Sequence, residues 1–579
     1  MGTGDLARLG RTVVHLQPGQ LSHRARLRAQ RLALHRVPLT RRWLLSGPPP
    51  QGGPGWPAGF HPLDARVWRG WAGTAALEQG EITLLGQTRR LVPETADGDG
   101  ADGTRWLEAD WLQGGAALLW RFHLAYWDWA WALATERKQS YARPLFATLW
   151  NSWHSAITPG SGTAWRPYPA ALRAWSFCGV HAALVAGSGL EEPFRADLAA
   201  HAGFLRRNLE TDVGGNHLLK NLKALIGLAV FFADDALLDQ TVNRLIRQLD
   251  VQVLPDGGHF ERAPAYHAQV LADLIDVAGL LRAAGHNEPT ELPKTIGAMR
   301  RWLGTVLTPA GDVPLLNDGF PVEHNLLAGL HLPGPTDAPL AELPDSGLVR
   351  ASVGSWQLLA DGGLPCPDEL PAHAHADTLG CLVWVDREPL LVDTGTSAYA
   401  AGPVRAYERS TAAHNTAEID GADSTEVWGA FRAGRRARVR GLASDYEDGT
   451  VVIEAVHDGY RHLRGRPGHR RRWTLTGDLL QVDDDIEGHG RHKVAVRWHL
   501  APGSRMRLIP GGATVTTPAG EFQVNVSATS EPALVAGTAA VATGFGRTTP
   551  APVLTCTVQT TLPVHLRTTW RHANRRENS

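Results

Sequence analysis

The apolar residues of this 579-residue chain change their period part-way along it, and that change limits the possible folds more than any other feature. From Trp106 to about Leu307 they recur at three- and four-residue spacing, over 115–135, 169–186, 217–232, 236–252 and 266–284, as on helices with a buried side. Short joints carrying Gly, Pro or Asp separate several of these segments, so neighbouring helices are expected to run antiparallel. After about Pro344 the period is two. LVRASVGSWQLLADGG, CLVWVDREPLLVDTG, GTVVIEAV, RRRWTLTGDLLQVDDDI and RHKVAVRWHLA read as strands, several joined by Asp/Gly hairpin turns. Both patterns are met by a helical domain at 106–340 followed by an antiparallel β domain at 345–579, most simply a sandwich. The seam is the Pro-rich HLPGPTDAPLAELPDSG (331–347). Residues 1–105 are expected to be irregular, since GPPPQGGPGWPAG (47–59) and ETADGDGADG (94–103) form turns and loops with little regular structure signalled between them.

A chain of this length exceeds one core, which agrees with two domains. The net charge of −1 excludes reading the whole molecule as a nucleic-acid binder, and any basic surface for a polyanion must be local. The 21 Trp, concentrated in the N-terminal half, suit the faces of sugar rings, but core packing explains them more simply. Cys178, Cys366, Cys381 and Cys556 show no paired spacing, so four free thiols are expected. The basic N-terminus lacks an apolar stretch of signal-peptide length, and the longest apolar run, 224–232, is too short to span a bilayer. These features give a soluble, cytoplasmic expectation with no membrane partner.

Three distant patches carry the chemistry. In Gly214-Gly215-Asn216-His217, Asn216 stands where a helix N-cap belongs; it either only caps, or marks a helix start whose N–H groups receive a carboxylate. In DGGHFERAPAYH (256–267), Pro264 marks a helix start and sets Tyr266 in the first turn. The third patch runs from His373-Ala374-His375 through Asp393 to Arg409 and His414. His373 and His375 share one side of an extended stretch, and His375, Asp393 and His414 form a set suited to zinc. A tight hairpin at Asp386-Arg387-Glu388 sets Asp393 opposite Cys381 instead of His375. Hydrogen-bonded structural histidines are the alternative reading.

Taken together, the patches resemble the heparinase II/III-like polysaccharide lyases. The strongest match is HAHADTLGCLVWVDREPLLVDTGTSAY with RAYERSTAAHNTAEIDGADSTEVWGAFR, followed by NHLLKNLKAL and HFERAPAYH. The resemblance implies an α+β multidomain chain, an (α/α) toroid followed by an antiparallel β-sandwich. It implies Asn216, Tyr266 and His373 as catalytic residues, with Asn216 and His217 on the uronate carboxylate. His267, Arg405, Arg409 and Tyr399 are implied as substrate contacts, with Tyr399 or Tyr407 as a second tyrosine. His375, Asp393 and His414 match positions that hold a structural divalent metal, zinc or, less simply, calcium.

The implied reaction is β-elimination on an acidic polysaccharide or oligosaccharide. Glycosaminoglycans such as heparan sulfate, hyaluronan or chondroitin sulfate come first and alginate or another exopolysaccharide second. Removing the C5 proton of a uronate requires charge relief on the carboxylate, a base and an acid. Tyr266 is the expected acid, and the base where both departing groups share a face; His373 is the expected base otherwise. Two rivals stand beside this. A glycoside hydrolase would draw a carboxylate pair from Asp256, Glu261 and Asp318. A non-catalytic glycan-binding protein of surface-polysaccharide metabolism would bind without turnover.

Overall fold

A computed structural model of the chain describes residues 3–49, 52–93, 106, 108–334, 336 and 338–573, so the stretch 94–103 lies outside the described residues. The helical half winds as an (α/α) toroid. At its centre the helix Gly215–Phe232 is buried at nearly every position, which accounts for its apolar residues on all sides. It packs against Pro167–Leu184, Asp235–Gln252 and Pro264–Ala283. The periodic segment 115–135 forms two helices, Leu118–Tyr126 and Ala130–Ala134, because Trp127 turns left-handed at φ 56°. Most Trp residues are core: Trp127 stacks on Trp129 and Trp111 at 4.5 and 5.7 Å.

The β half is antiparallel. Among the described residues an eight-stranded sheet, running from Val439–Glu447 to Arg505–Ile509, faces a second layer. That layer joins a five-stranded sheet to a four-stranded one through the bridge Leu391–Leu500. Trp356, Trp473, Trp498, Phe522 and Trp570 fill the space between the layers.

The apolar run CLVWV explains how the halves join. In the strand Cys381–Val385 every residue is buried. Cys381, Val383 and Val385 point into the sandwich core, whereas Leu382 and Trp384 belong to the toroid core. Alternation along the strand therefore feeds two cores from one element. Leu359 and Leu348 face the toroid in the same way, while Leu358 and Val349 face the sandwich. The hairpin closing this strand turns on Asp386 and Arg387, at φ 49° and 71°, the two left-handed residues of a tight primed turn.

The irregular reading of 1–105 is corrected. Helices span Thr3–Val13, Pro18–Arg36 and Pro38–Leu44, with shorter ones at Leu63–Trp68 and Thr74–Glu78. The Leu, Ala and Arg content favours helix, and the first of these helices docks through polar contacts. Arg11 Nε donates to Glu426 at 2.7 Å, and Trp428 Nε1 donates to Thr12 Oγ1 at 3.1 Å. All four cysteines are buried and unpaired, and no described helix is long and apolar enough to cross a membrane.

Because Trp384 crosses the seam, Trp384→Ala is expected to cost about 3–5 kcal/mol. Denaturant unfolding followed by circular dichroism measures this; a loss below about 1 kcal/mol contradicts the shared-strand account.

Candidate active site

Three structural pieces meet where the toroid opens onto the sandwich. The first is the turn before the central helix. Gly214 takes the N-cap at φ 74°, so Asn216 lies in the first turn and its side chain does not cap, which corrects the capping reading. Gly215 sits at φ 54°, and a Cβ there would lie 1.8 Å from Glu261 Oε1. Only glycine leaves room for that carboxylate. Glu261 accepts hydrogen bonds from the Asn216 backbone N–H and from Asn216 Nδ2, both at 2.8 Å. Asn216 Oδ1 is buried and has no partner.

The second piece is the start of the helix Pro264–Ala283, where Pro264 fixes the first turn as expected and projects Tyr266. The Tyr266 hydroxyl lies 2.6 Å from that of Tyr399, so Tyr399, not Tyr407, is its partner. The Tyr266 ring is 4.0 Å from the His373 ring, centroid to centroid. Phe320 packs against Tyr266, and Phe545 and Phe431 against Tyr399, forming an aromatic wall. Burial, Tyr399 and Asp318 raise the Tyr266 pKa well above that of a free phenol.

The third piece is the His373–Asp377 loop, held by one carboxylate. Asp318 accepts from His373 Nδ1 and from His375 Nε2, each at 2.9 Å, and from both terminal nitrogens of Arg405. His373 Nε2 faces Glu261 Oε2 at 3.2 Å. Burial works against charge on His373, but the Glu261 and Asp318 carboxylates outweigh it and bring its pKa up to about 9. Both nitrogens are thus occupied and the ring keeps its proton at neutral pH, which argues against His373 as a free base. Burial likewise opposes charge on Glu261, yet His373 and Asn216 hold its pKa down at about 2. Asp318 is held well below the ordinary range, its burial outweighed by Arg405 and the two imidazoles.

The remaining expected residues divide. His217 stays at the site, its ring 4.3 Å from that of Tyr168 and its Nδ1 3.2 Å from Glu210 Oε1. His267 does not. It is buried against Trp302, accepts from the His259 backbone N–H at Nδ1 (3.1 Å), and meets the Met299 carbonyl with Nε2 (2.9 Å). Arg405 and Arg409 are buried struts instead of substrate contacts. Arg405 is bound to Asp318, and Arg409 donates to the carbonyls of Ala374 and Arg432. The carboxylates considered for hydrolysis are placed differently again. Asp256 binds the Ser346 N–H at 2.6 Å, while Glu261 and Asp318 flank His373. Neither of the latter holds a proton to give, as a hydrolase acid must.

Glu261 and Asp318 are the residues whose roles sequence reasoning missed. The one available signal was Asn317-Asp318-Gly319, a polar turn beyond the end of the helix Glu291–Val306, in which Asn317 sits at φ 54°. Asn317 Oδ1 accepts from the His375 backbone N–H at 3.0 Å, so the turn anchors the histidine loop twice.

Among the described residues no three His, Cys, Asp or Glu side chains converge as a metal site. His414 Nδ1 meets Asp393 Oδ2 at 2.8 Å, and Asp393 Oδ1 receives the Gly395 N–H. The donors left buried without partners are His375 Nδ1, His414 Nε2 and Asp377 Oδ2, with the two imidazole rings 5.3 Å apart. Two imidazole nitrogens and a carboxylate oxygen make a donor set chemically suited to a divalent ion. As expected from the hairpin, Asp393 lies near Cys381 in the fold, where Asn415 Nδ2 bridges the carbonyls of Cys381 and Val392.

Residues 110–330 match the heparinase II/III N-terminus family, and residues 335–572 match the heparinase II/III-like C-terminal family. In fold the chain resembles a crystal structure of heparinase III, with a TM-score of 0.73, 15% identity, and coverage of 96% of this chain and 92% of that one. It also resembles a heparan sulfate lyase from Pedobacter heparinus (TM-score 0.58, 14% identity, 90% and 84% covered). A Streptomyces coelicolor chondroitin AC lyase in complex with chondroitin sulphate gives 0.52 at 13% identity, with 92% and 82% covered. In sequence it is 28% identical over 301 residues to FtsZ-localized protein C of Caulobacter vibrioides, covering 48% of this chain and 52% of that protein. The match thus spans about half the length of that relative.

Asp318→Asn leaves the Arg405 charge unpaired in the interior and is expected to cost about 3–5 kcal/mol. Adding Arg405→Met should recover part of the loss in denaturant unfolding; strictly additive losses contradict the pairing.

Proposed function

The chain belongs to the heparinase II/III-like family, and on that premise we propose that it is a polysaccharide lyase cleaving uronate-containing glycans by β-elimination. Glycosaminoglycan backbones are the first substrate class and alginate-like exopolysaccharides the second. The observation that carries this reading is the 2.6 Å hydroxyl pair of Tyr266 and Tyr399 beside a doubly held His373. Two hydroxyls so close would reach a C5 hydrogen and an O4 oxygen from one side, which suits departing groups on the same face.

In the proposed division of labour Tyr266 is the acid and Tyr399 the base. Burial and then the Asp318 carboxylate hold the Tyr399 pKa well above that of a free phenol, so the free protein keeps the hydroxyl protonated; the Tyr266 hydrogen bond and the Arg405 guanidinium, 5.1 Å from its ring, relieve part of this and would favour the phenolate that the step needs. The Tyr399 oxygen takes the C5 proton, and Tyr266 gives its proton to O4 as the C4–O bond breaks. Transfer across the hydroxyl pair then resets both groups. The uronate carboxylate needs hydrogen-bond donors as charge builds, and those at hand are the Asn216 N–H, Asn216 Nδ2 and His373 Nε2. All three face Glu261 in the free protein. Substrate must therefore displace Glu261 or share a proton with it.

A structural divalent metal is proposed at His375, Asp393 and His414, with Asp377 as a further oxygen donor. When bound it would neutralise this buried cluster and hold the histidine loop. Metal analysis of protein purified without chelator should give about one equivalent, lost in His414→Ala. Protein that is metal-free yet fully folded contradicts the assignment.

The second reading is a non-catalytic glycan-binding protein. It is favoured by the occupation of all three carboxylate donors by Glu261, and by a relative named for localisation with FtsZ. Near-ultraviolet absorbance of the unsaturated uronate separates the two, using hyaluronan, chondroitin, heparan sulfate and alginate as substrates. The lyase reading predicts a rise that falls by roughly 10²–10⁴-fold in Tyr266→Phe and in Tyr399→Phe. Sugar binding without any rise, unaltered by Tyr266→Phe, supports the binding protein instead.

A further inference from the structure

The net charge of −1 hides a strong local imbalance on the outside of the toroid. The helix Pro18–Arg36 contains Arg24, Arg26, Arg28, Arg31 and Arg36 and no Asp or Glu. It docks on the end of the helix Glu191–Arg207, where Arg26 and Gln30 donate to the Arg207 carbonyl at 3.3 and 3.4 Å. One basic element is thus laid against a second, whose last turn holds Arg206 and Arg207. Arg244 and Arg247 of the helix Asp235–Gln252 supply a third source of positive charge.

These elements surround a cavity. Glu191–Arg207 and Asp235–Gln252 both pack on the central helix Gly215–Phe232. Between them lies a crevice of about 300 Å³. Its floor is apolar, made of the buried Leu209, Leu222, Leu225 and Leu237. Its walls hold Arg206, Arg207 and Arg244, with Gln240 and Thr241 as further polar groups. Among the described residues no carboxylate lines it.

Two arginines in the last turn of a helix are ordinary, since they complement its C-terminal dipole. That account covers Arg206 and Arg207. It does not cover Arg244, midway along the next helix, or Arg26, which comes from a third. Burial, then Arg247 and Arg26, hold the Arg244 guanidinium below its usual pKa, and burial and Arg206 do the same to Arg207. Arg24 has Asp212 at 3.8 Å, but among the described residues neither Arg206 nor Arg244 has a carboxylate partner. Elsewhere the chain matches its buried guanidinium groups, Arg405 with Asp318 and Arg471 with Asp484. Here the positive charge is left without a counter-ion. Arg207 is also fixed in place, its guanidinium 4.9 Å from the Trp43 ring and its Nη1 2.9 Å from the carbonyls of Ser46 and Gly203.

The chemistry of the missing anion follows from the number of cations. A single carboxylate is matched by one guanidinium, as Asp318 is by Arg405. Three lining arginines, with Arg26 and Arg247 beside them, suit a group with two or more negative charges and several acceptor oxygens. The leucine floor keeps water from beneath these charges and strengthens their attraction for an anion. Leu209 is followed directly by Glu210, whose carboxylate meets His217 and Asn221 on the catalytic side. The crevice therefore lies one loop away from the catalytic cleft and shares none of its residues.

We propose that the crevice between Glu191–Arg207 and Asp235–Gln252 is a second ligand site, which binds a phosphomonoester or diphosphate group carried either by a soluble molecule or by a lipid headgroup. The site is independent of whether the catalytic cleft cleaves glycans or only binds them.

The test uses the full chain in phosphate-free buffer at about 0.15 M chloride, where loose ionic attraction is screened. Inorganic pyrophosphate is titrated by calorimetry, and vesicles of phosphatidylcholine, with and without phosphatidic acid, are tested by flotation. Expected is saturable binding of about one equivalent, weakened at least roughly tenfold in Arg244→Gln and in Arg206→Gln. Arg206 is exposed, so its variant keeps the test readable if Arg244→Gln fails to fold. Pyrophosphate binding lost in the variants upholds the site with a soluble phosphate ligand. Flotation that requires phosphatidic acid and is lost in the variants, without pyrophosphate binding, upholds it with a lipid headgroup. Binding to neither probe, or binding that both variants leave unchanged, overturns the proposal.

Discussion

A single buried carboxylate, Asp318, is the constraint on which the site depends. It leaves the toroid in a polar turn and accepts from the Arg405 guanidinium and two imidazoles of the sandwich half. An unpaired carboxylate in that position would be far too costly to bury, so the contacts form together or not at all. The shared strand Cys381–Val385 supplies apolar adhesion between the halves, and Asp318 supplies registry. Together they bring His373, a sandwich residue, within 4.0 Å of Tyr266, a toroid residue.

Much of the fold was legible because periodicity reports burial. The change of period located two architectures, and the Asp386-Arg387 turn was readable from residue type. The run CLVWV read as a strand, but no sequence pattern reveals that its two faces serve different cores. The N-terminal helices were missed although Leu6, Leu9 and Val13 recur at helical spacing in the first, which docks through the polar Arg11 and Thr12. At the site, local settings singled out Tyr266 and His373 as polar residues, while the roles expected of them came from the family resemblance. Asn216 was found for a reason the structure corrects, since Gly214 is the cap. Glu261 and Asp318 looked like a catalytic acid pair. Their real work is fixed by hydrogen-bond partners 45 to 87 residues away in sequence, from Asn216 on Glu261 to Arg405 on Asp318, which local spacing cannot show.

The site shows how a carboxylate-binding position can be prepared before substrate arrives. Glu261 satisfies three donors that would otherwise be buried and unpaired, and Gly215 leaves space for it. The donors are therefore oriented in the free protein, at the expense of a competing internal anion. A glycan carboxylate must replace that anion or share a proton with it. This sets a threshold for binding.

The most direct measurement is a crystal structure of Tyr266→Phe soaked with a uronate tetrasaccharide. The account predicts the glycan along the Tyr168 and Tyr399 rings, its uronate carboxylate at Asn216 and His373, and C5 about 3–3.5 Å from the Tyr399 oxygen. Glycan bound away from this cleft, with Glu261 still holding Asn216 and His373, would contradict it.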